Sequence, residues 1–258
     1  PRWREIRGEN APGLLLVCNA GEEGLGNLKG VRKICEDYGG RIKSFCTFDS
    51  SLSSIVDRAV GSKRFRVKVR TRGGHSYNDF GNDNAIAGLA SLVGNLYKIQ
   101  VPEGGKTTYN VGMISGGTSV NTIAQEAGML YEFRSDKREN LEYMERQFME
   151  VLDRAKAEGM DVSFQVIGVR PCEGQVDPAQ KQALTDWAHR VVEEMTGQAP
   201  KHHAGSTDCN IPLSLGIPSV CVGSFRGAGA HTREEYVETD SLEEGYKVAF
   251  GMIFGRRD

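Results

Sequence analysis

Two carboxylates stand side by side, Glu22-Glu23, at the end of the apolar run Leu14-Leu15-Leu16-Val17-Cys18. Gly21 and Gly24 flank them and let the backbone turn tightly. Adjacent acids can divide the chemistry between them, one holding a metal ion while the other moves a proton. An isolated Glu-Glu pair reads equally as an exposed acidic turn, so its setting matters. Asp49 follows a second apolar segment, Ser44 to Phe48, and His231 follows a third, Ile217 to Val222. In open α/β sheets, ligands bind outside the carboxyl ends of the strands. Two carboxylates and an imidazole at three such ends suit Zn²⁺, Mn²⁺ or Co²⁺.

The elements that would position these residues alternate. Residues 14–18 read as a buried strand, Leu28 to Tyr38 as a helix stopped by Gly39-Gly40, and Ser44 to Phe48 as a further strand, which together suggest a parallel sheet. The middle of the chain has another rhythm. Phe65, Val67 and Val69 alternate with Arg66, Lys68 and Arg70, the signature of a half-buried strand. A helix after Asn82-Asp83-Asn84 puts Ile86, Leu89, Val93 and Leu96 on one face. Strands follow at Tyr109 to Ile114 and at Met129 to Phe133, then a helix from near Asn140 to Gly159 and a strand through Val162, Phe164 and Val166. The order β-α-β-β-α-β over residues 63–170 is the ferredoxin-like pattern. The α/β rhythm then resumes: Asp177 caps a helix with Pro178 at its first turn, and a last helix spans Ser241 to Phe254. The expected organisation is an α/β domain (residues 1–62 and 171–258) interrupted by an α+β insertion (63–170).

Composition narrows the class. With 39% hydrophobic and 26% charged residues the chain is an ordinary globular one. A net charge of −2 offers no basic field for nucleic acid, and no apolar run approaches the length that spans a bilayer. The chain opens Pro1-Arg2-Trp3, without an initiator Met. Its six cysteines include no C-x-x-C pair, so they read as reduced core residues, which points to the cytoplasm. Cys209 shows no feature of an activated thiolate. His202-His203 reads as exposed polar surface.

Four segments, in order, resemble the di-zinc metallopeptidase family M20, which includes carboxypeptidase-like, peptidase T-like and aminoacylase-like enzymes. Asn19-Ala20-Gly21-Glu22-Glu23-Gly24 is similar to its Glu-Glu motif, and Gly73-Gly74-His75-Ser76 to the signature of its dimerisation lid. Gly205-Ser206-Thr207-Asp208 with Gly216-Ile217-Pro218 resembles its late catalytic segment, and Ala230-His231-Thr232 its final metal motif. The resemblance implies a metallopeptidase-type α/β catalytic domain with an inserted ferredoxin-like lid. It implies that Glu22 is the general base and that Glu23, Asp49 and His231 bind two divalent metal ions, zinc foremost, with manganese and cobalt as alternatives. His75 would reach from the lid across a homodimer to stabilise an oxyanion. Asn121 and Arg134 would contact a substrate carboxylate, a role that suits the planar fork of arginine. Asp208 receives no role.

The chain also departs from the family pattern. The family's His-x-Asp motif upstream of the Glu-Glu pair is absent, as is the bridging Asp that follows it; none of the 21 residues before Glu22 is His or Asp. The resemblance therefore implies an N-terminally shortened chain that holds metal weakly or not at all. The expected function is metal-dependent hydrolysis of peptide or N-acyl amide bonds in a small peptide or N-acyl amino acid. The alternative is a non-catalytic dimerising or ligand-binding relative.

Overall fold

The computed structural model describes residues 13–255; the opening Pro1-Arg2-Trp3 lies outside them. In chain order the elements are helix α1 (Lys29–Tyr38), strands β1 (Phe45–Phe48), β2 (Ser54–Ala59), β3 (Gly61–Arg70) and β4 (Gly74–His75), helix α2 (Ala85–Leu96), strands β5 (Thr107–Gly116), β6 (Thr122–Ile123) and β7 (Glu126–Ser135), and helix α3 (Arg138–Ala157). Strand β8 (Asp161–Arg170), helix α4 (Pro178–Thr196), strand β9 (Lys201–Gly205), helix α5 (Asn210–Ser214), strands β10 (Ser219–Val222), β11 (Gly227–Ala228) and β12 (Tyr236–Val237) and helix α6 (Ser241–Phe254) complete the chain. They form two compact units, one of residues through Ala59 and from Glu173 onward, the other Val60–Cys172.

The α/β unit is built on a sheet ordered β1-β10-β2-β9. Successive side chains of a strand point to opposite faces, and both faces here are covered. Ile55, Val220 and Val222 join Leu184, Trp187, Ala188 and Val191 of α4 and Val248 and Met252 of α6. Val56 and Cys221 join Cys209 and Leu213 on the other side. Asp177 caps α4 by accepting from the Gln180 amide at 2.8 Å, and Gly197 ends it in the left-handed region.

Two expectations are corrected in this unit. The sheet is mixed: β1 runs parallel to β10 and β2 parallel to β9, but β10 and β2 are antiparallel. Residues 14–18 form no strand, and Leu14, Leu15, Leu16 and Val17 are 40–68% exposed. Their composition suits a buried strand, but no neighbouring strand pairs with them among the described residues, and a lone strand cannot satisfy its backbone.

The inserted unit is a four-stranded antiparallel sheet ordered β5-β7-β3-β8, the ferredoxin-like order. Phe65, Val67 and Val69 of β3 and Met129, Tyr131 and Phe133 of β7 face one core with Leu89, Leu92 and Leu96 of α2 and Met144, Phe148 and Leu152 of α3. Asn84 caps α2 by accepting from the Ile86 amide at 2.9 Å. The other sheet face carries charge. Arg64 Nε donates to Glu132 at 3.1 Å and Lys68 Nζ to Glu126 at 2.8 Å. No helix among the described residues is long and apolar enough to cross a membrane.

Candidate functional site

In the α/β unit, Glu22 and Glu23 sit where the unpaired run turns into a short 3-10 segment, Gly24–Gly26. Glu23 occupies the cap position with an extended backbone, and its carbonyl accepts from the Gly26 amide at 2.8 Å. Glu22 is half-buried and Glu23 exposed. Asp49 follows β1 directly and is exposed; its carbonyl accepts from the buried Cys221 Sγ at 3.0 Å. Burial pushes the Cys221 thiol well up, and the Asp49 and Glu22 carboxylates push it further.

His231 lies on the turn between β11 and β12, in the left-handed region at φ 66°, with its amide donating to Glu235 Oε2 at 3.2 Å. It is exposed. Among the described residues, no three His, Cys, Asp or Glu side chains form a group that could hold a metal ion. Glu23, Asp49 and His231 have donor chemistry suited to zinc, but as placed they do not make a cage.

Asp208, which takes no role from its sequence context, is buried and accepts from Asn19 Nδ2. That bond pins the segment before the Glu-Glu pair to the turn after β9. Burial, with the Asp208 charge, pushes the Cys35 thiol up to about 11. Both thiols are thus held protonated. The Gly205-Ser206-Thr207-Asp208 segment is a signal in the sequence, but Asn19 stands 189 positions away, a separation no local pattern bridges.

In the inserted unit, β4 pairs with β6, setting His75 opposite Thr122. The loop beyond is tied to itself. The His75 amide donates to Asp79 Oδ2 at 2.7 Å, and the Asp79 amide returns a bond to the His75 carbonyl at 2.9 Å. Gly74 adopts φ +146°, and a Cβ there would stand 2.6 Å from Asp79 Cβ, so only glycine fits. His75 Nδ1 accepts from the Tyr77 and Asn78 amides at 3.3 and 3.4 Å. A neutral ring so held carries its proton on Nε2. That leaves an exposed imidazole with one outward donor.

The structure brings Asn121 beside this loop, where its carbonyl accepts from the Ser76 amide at 3.0 Å and its side-chain oxygen accepts from Ser119. Arg134 is engaged elsewhere. Its Nε and Nη2 grip Glu132 at 2.8 and 3.1 Å. Burial pushes the Glu132 carboxyl up, but the Arg134 and Arg64 bonds outweigh it and hold the carboxyl below its ordinary value. Glu132 thus occupies the Nε and Nη2 side of the Arg134 guanidinium.

An α/β unit carrying an α+β insertion is the architecture that known structures share with this chain. Residues 59–160 match the sequence profile described as the peptidase dimerisation domain, M20 type. Similar solved structures include the aminopeptidase PepT of Bacillus cereus, 23% identical, covering 92% of this chain and 62% of that one at a TM-score of 0.70. A tripeptidase of Staphylococcus aureus is 22% identical, over 91% of this chain and 62% of that one, also at 0.70. An aminobenzoyl-glutamate utilization protein of Klebsiella pneumoniae is 15% identical, over 92% and 59%, at 0.64. The chain spans about three fifths of the length of these relatives. No curated protein sequence matches it. Residues 59–160 are thus similar to a dimerisation domain of the M20 peptidase type, and the likeness of the rest of the chain to these structures is one of fold.

Proposed function

We propose that this chain is part of an enzyme that hydrolyses peptide or N-acyl amide bonds and works as a homodimer through its inserted unit. The match of residues 59–160 to a peptidase dimerisation domain carries the reading. The activity is proposed to depend on divalent metal, zinc before manganese or cobalt, with Glu23, Asp49 and His231 as donors. These three do not suffice as placed, so the steps concern the chain's own groups. Glu22 takes the proton from the attacking water and delivers it to the leaving amine. His75, its Nδ1 held by two backbone amides, offers Nε2–H to the tetrahedral oxyanion of the partner's site. Asn121 and Arg134 orient a substrate carboxylate, with Glu132 holding the Nε side of the Arg134 guanidinium. The six free thiols fit a reducing compartment such as the cytoplasm.

The test uses the full-length protein and a panel of dipeptides, tripeptides and N-acyl amino acids. Glu22→Gln is expected to abolish turnover while metal content and dimer mass stay unchanged; retained turnover sinks the base assignment. A second reading, a non-catalytic dimerising or ligand-binding relative, draws on the exposed and ungrouped state of Glu23, Asp49 and His231. A wild-type protein that dimerises but neither binds metal nor turns over any of the panel would establish it.

A further inference from the structure

The α/β unit contains a second arrangement of titratable side chains, away from the Glu-Glu pair. His202 Nδ1 lies 2.8 Å from Asp57 Oδ2, and His202 Nε2 lies 2.9 Å from His189 Nδ1. The two rings are 15° from parallel with centroids 5.2 Å apart. His189 Nε2 in turn stands 3.9 Å from Glu193 Oε2. His202 is exposed, as its sequence context suggests, and its ring is bonded on both nitrogens.

The backbone builds this contact. The β2–β9 ladder slips between Val56 and Arg58, so Asp57 is the extra residue of a bulge. Bulges in parallel ladders are rare, and they re-aim side chains. Here the bulge sets Asp57 against His202 of β9, a strand with a neighbour on one side only among the described residues. His189 comes from α4, which packs on the same sheet. The other charged groups nearby are Arg58, whose Nε is 3.4 Å from Asp57 Oδ1, Lys201 and His203 beside His202 on β9, and Arg190 on α4, which lies over the Trp187 ring.

Counting donors fixes the protons. An ionised carboxylate only accepts, so His202 donates from Nδ1, and its neutral Nε2 is bare. His189 must then donate from Nδ1, leaving its own Nε2 bare toward Glu193. One added proton breaks nothing, because either ring can donate across the contact while the facing nitrogen of the other stays bare. A proton on both rings leaves an N–H on each of the two facing nitrogens. Two donors then oppose each other across 2.9 Å, and the contact opens.

We propose that Asp57, His202 and His189 form a proton-operated clasp that ties the edge strand β9 to helix α4 and releases it in acid. Imidazole is the side chain whose charge ordinarily changes in the physiological range. Release reaches beyond the strand, because β9 runs directly into the turn carrying Asp208, the acceptor of Asn19.

The experiment reads tautomers and strand opening in the full chain. With histidine nitrogens labelled, NMR at about pH 8 is expected to find the proton on Nδ1 in both His202 and His189; a proton on His202 Nε2 overturns the proposal. Hydrogen exchange, corrected to protection factors, is then compared at about pH 8 and about pH 5. Protection of the β9 amides is expected to fall about tenfold, the weight of one hydrogen bond, while that of β10 holds. His189→Gln should keep β9 protection flat, since an amide can donate to the bare His202 Nε2 or accept from the protonated one. No fall in the wild type, an equal fall in β10, or an undiminished fall in His189→Gln overturns the clasp.

Discussion

In the inserted unit, Phe65, Val67 and Val69 point into one core while Arg66 and Arg70 point away from it; in the α/β unit, Val220, Cys221 and Val222 are buried on both faces of their sheet. The first kind of strand announces its inner face in its own sequence. The second depends on what two separate stretches of chain lay over it. The chemistry divides the same way. His75 is organised by neighbours within four residues, Tyr77, Asn78 and Asp79. Asp49 and His231 stand on turns 182 positions apart (231 minus 49), and with Glu22 they rely on the fold to be gathered. The inserted unit is determined locally, whereas the α/β unit owes its arrangement to long-range contacts.

The sharpest way to break this comparison is to empty the inserted core. Phe148 is fully buried, 4.2 Å from Phe65 and 5.5 Å from Tyr131 by ring centroids. Phe148→Ala should cost about 3–5 kcal/mol, the loss of an aromatic core side chain and the cavity it leaves. Hydrogen exchange during urea unfolding reads the two units separately. The loss should fall on residues of the inserted unit; a loss shared equally by β10 would show that the two do not differ as argued.

A smaller effect tests the charged face of the same sheet. Glu132→Gln should cost about 1.5–3 kcal/mol near neutrality, since two arginines lose their charged acceptor. The pH dependence has a definite sign. The folded carboxyl is held below its ordinary value by Arg134 and Arg64, so its contribution is present above the unfolded value, about 4.3, and is lost as pH falls through the folded one. Urea midpoints measured from neutrality into acid should drop less steeply in Glu132→Gln than in the wild type; parallel curves would exclude the pairing.

How far each region could be read ahead of its structure follows the same division. The inserted unit is legible because its strands alternate and its helix α2 begins at a polar cap, Asn84; in the α/β unit Asp177 starts α4 in the same way, where the residue types place it. Strands β2 and β9 escape such a reading. The bulge at Asp57 breaks the alternation of β2, and Lys201-His202-His203-Ala204-Gly205 has no apolar side to show. Leu14 to Val17 mislead in the opposite direction, since apolar composition marks a strand only if a partner lies beside it. The candidate site residues come from the resemblance alone, and it does not supply their partners. Glu132 holding Arg134, Asp208 holding Asn19 and Asp57 holding His202 are each set by the folded arrangement.

Caps offer a graded comparison, because both units have one helix started in the same way. Asn84→Ala and Asp177→Ala remove acceptors for the Ile86 and Gln180 amides. Each should cost about 1 kcal/mol, read from urea midpoints. Equal costs would show that helix starts are local in both units and confine their difference to the strands; a much larger cost at Asp177 would mean that α4 depends on its cap more than its packing suggests.

The smallest expected effect concerns the apolar run before the Glu-Glu pair. Leu16 is 68% exposed and pairs with no strand among the described residues, and exposed positions of this kind change stability by less than about 0.5 kcal/mol. Leu16→Ser in this chain should therefore leave the urea midpoint nearly unchanged. Its effect should fall instead on association, because Leu14 to Val17 with Leu25 present exposed apolar surface, and light scattering at high concentration should drop. A cost of about 2 kcal/mol, the scale of a buried leucine, would mean that the run is covered in solution. In that case Glu22 and Glu23 are carried on a packed strand end, and the α/β unit holds them as firmly as the inserted unit holds His75.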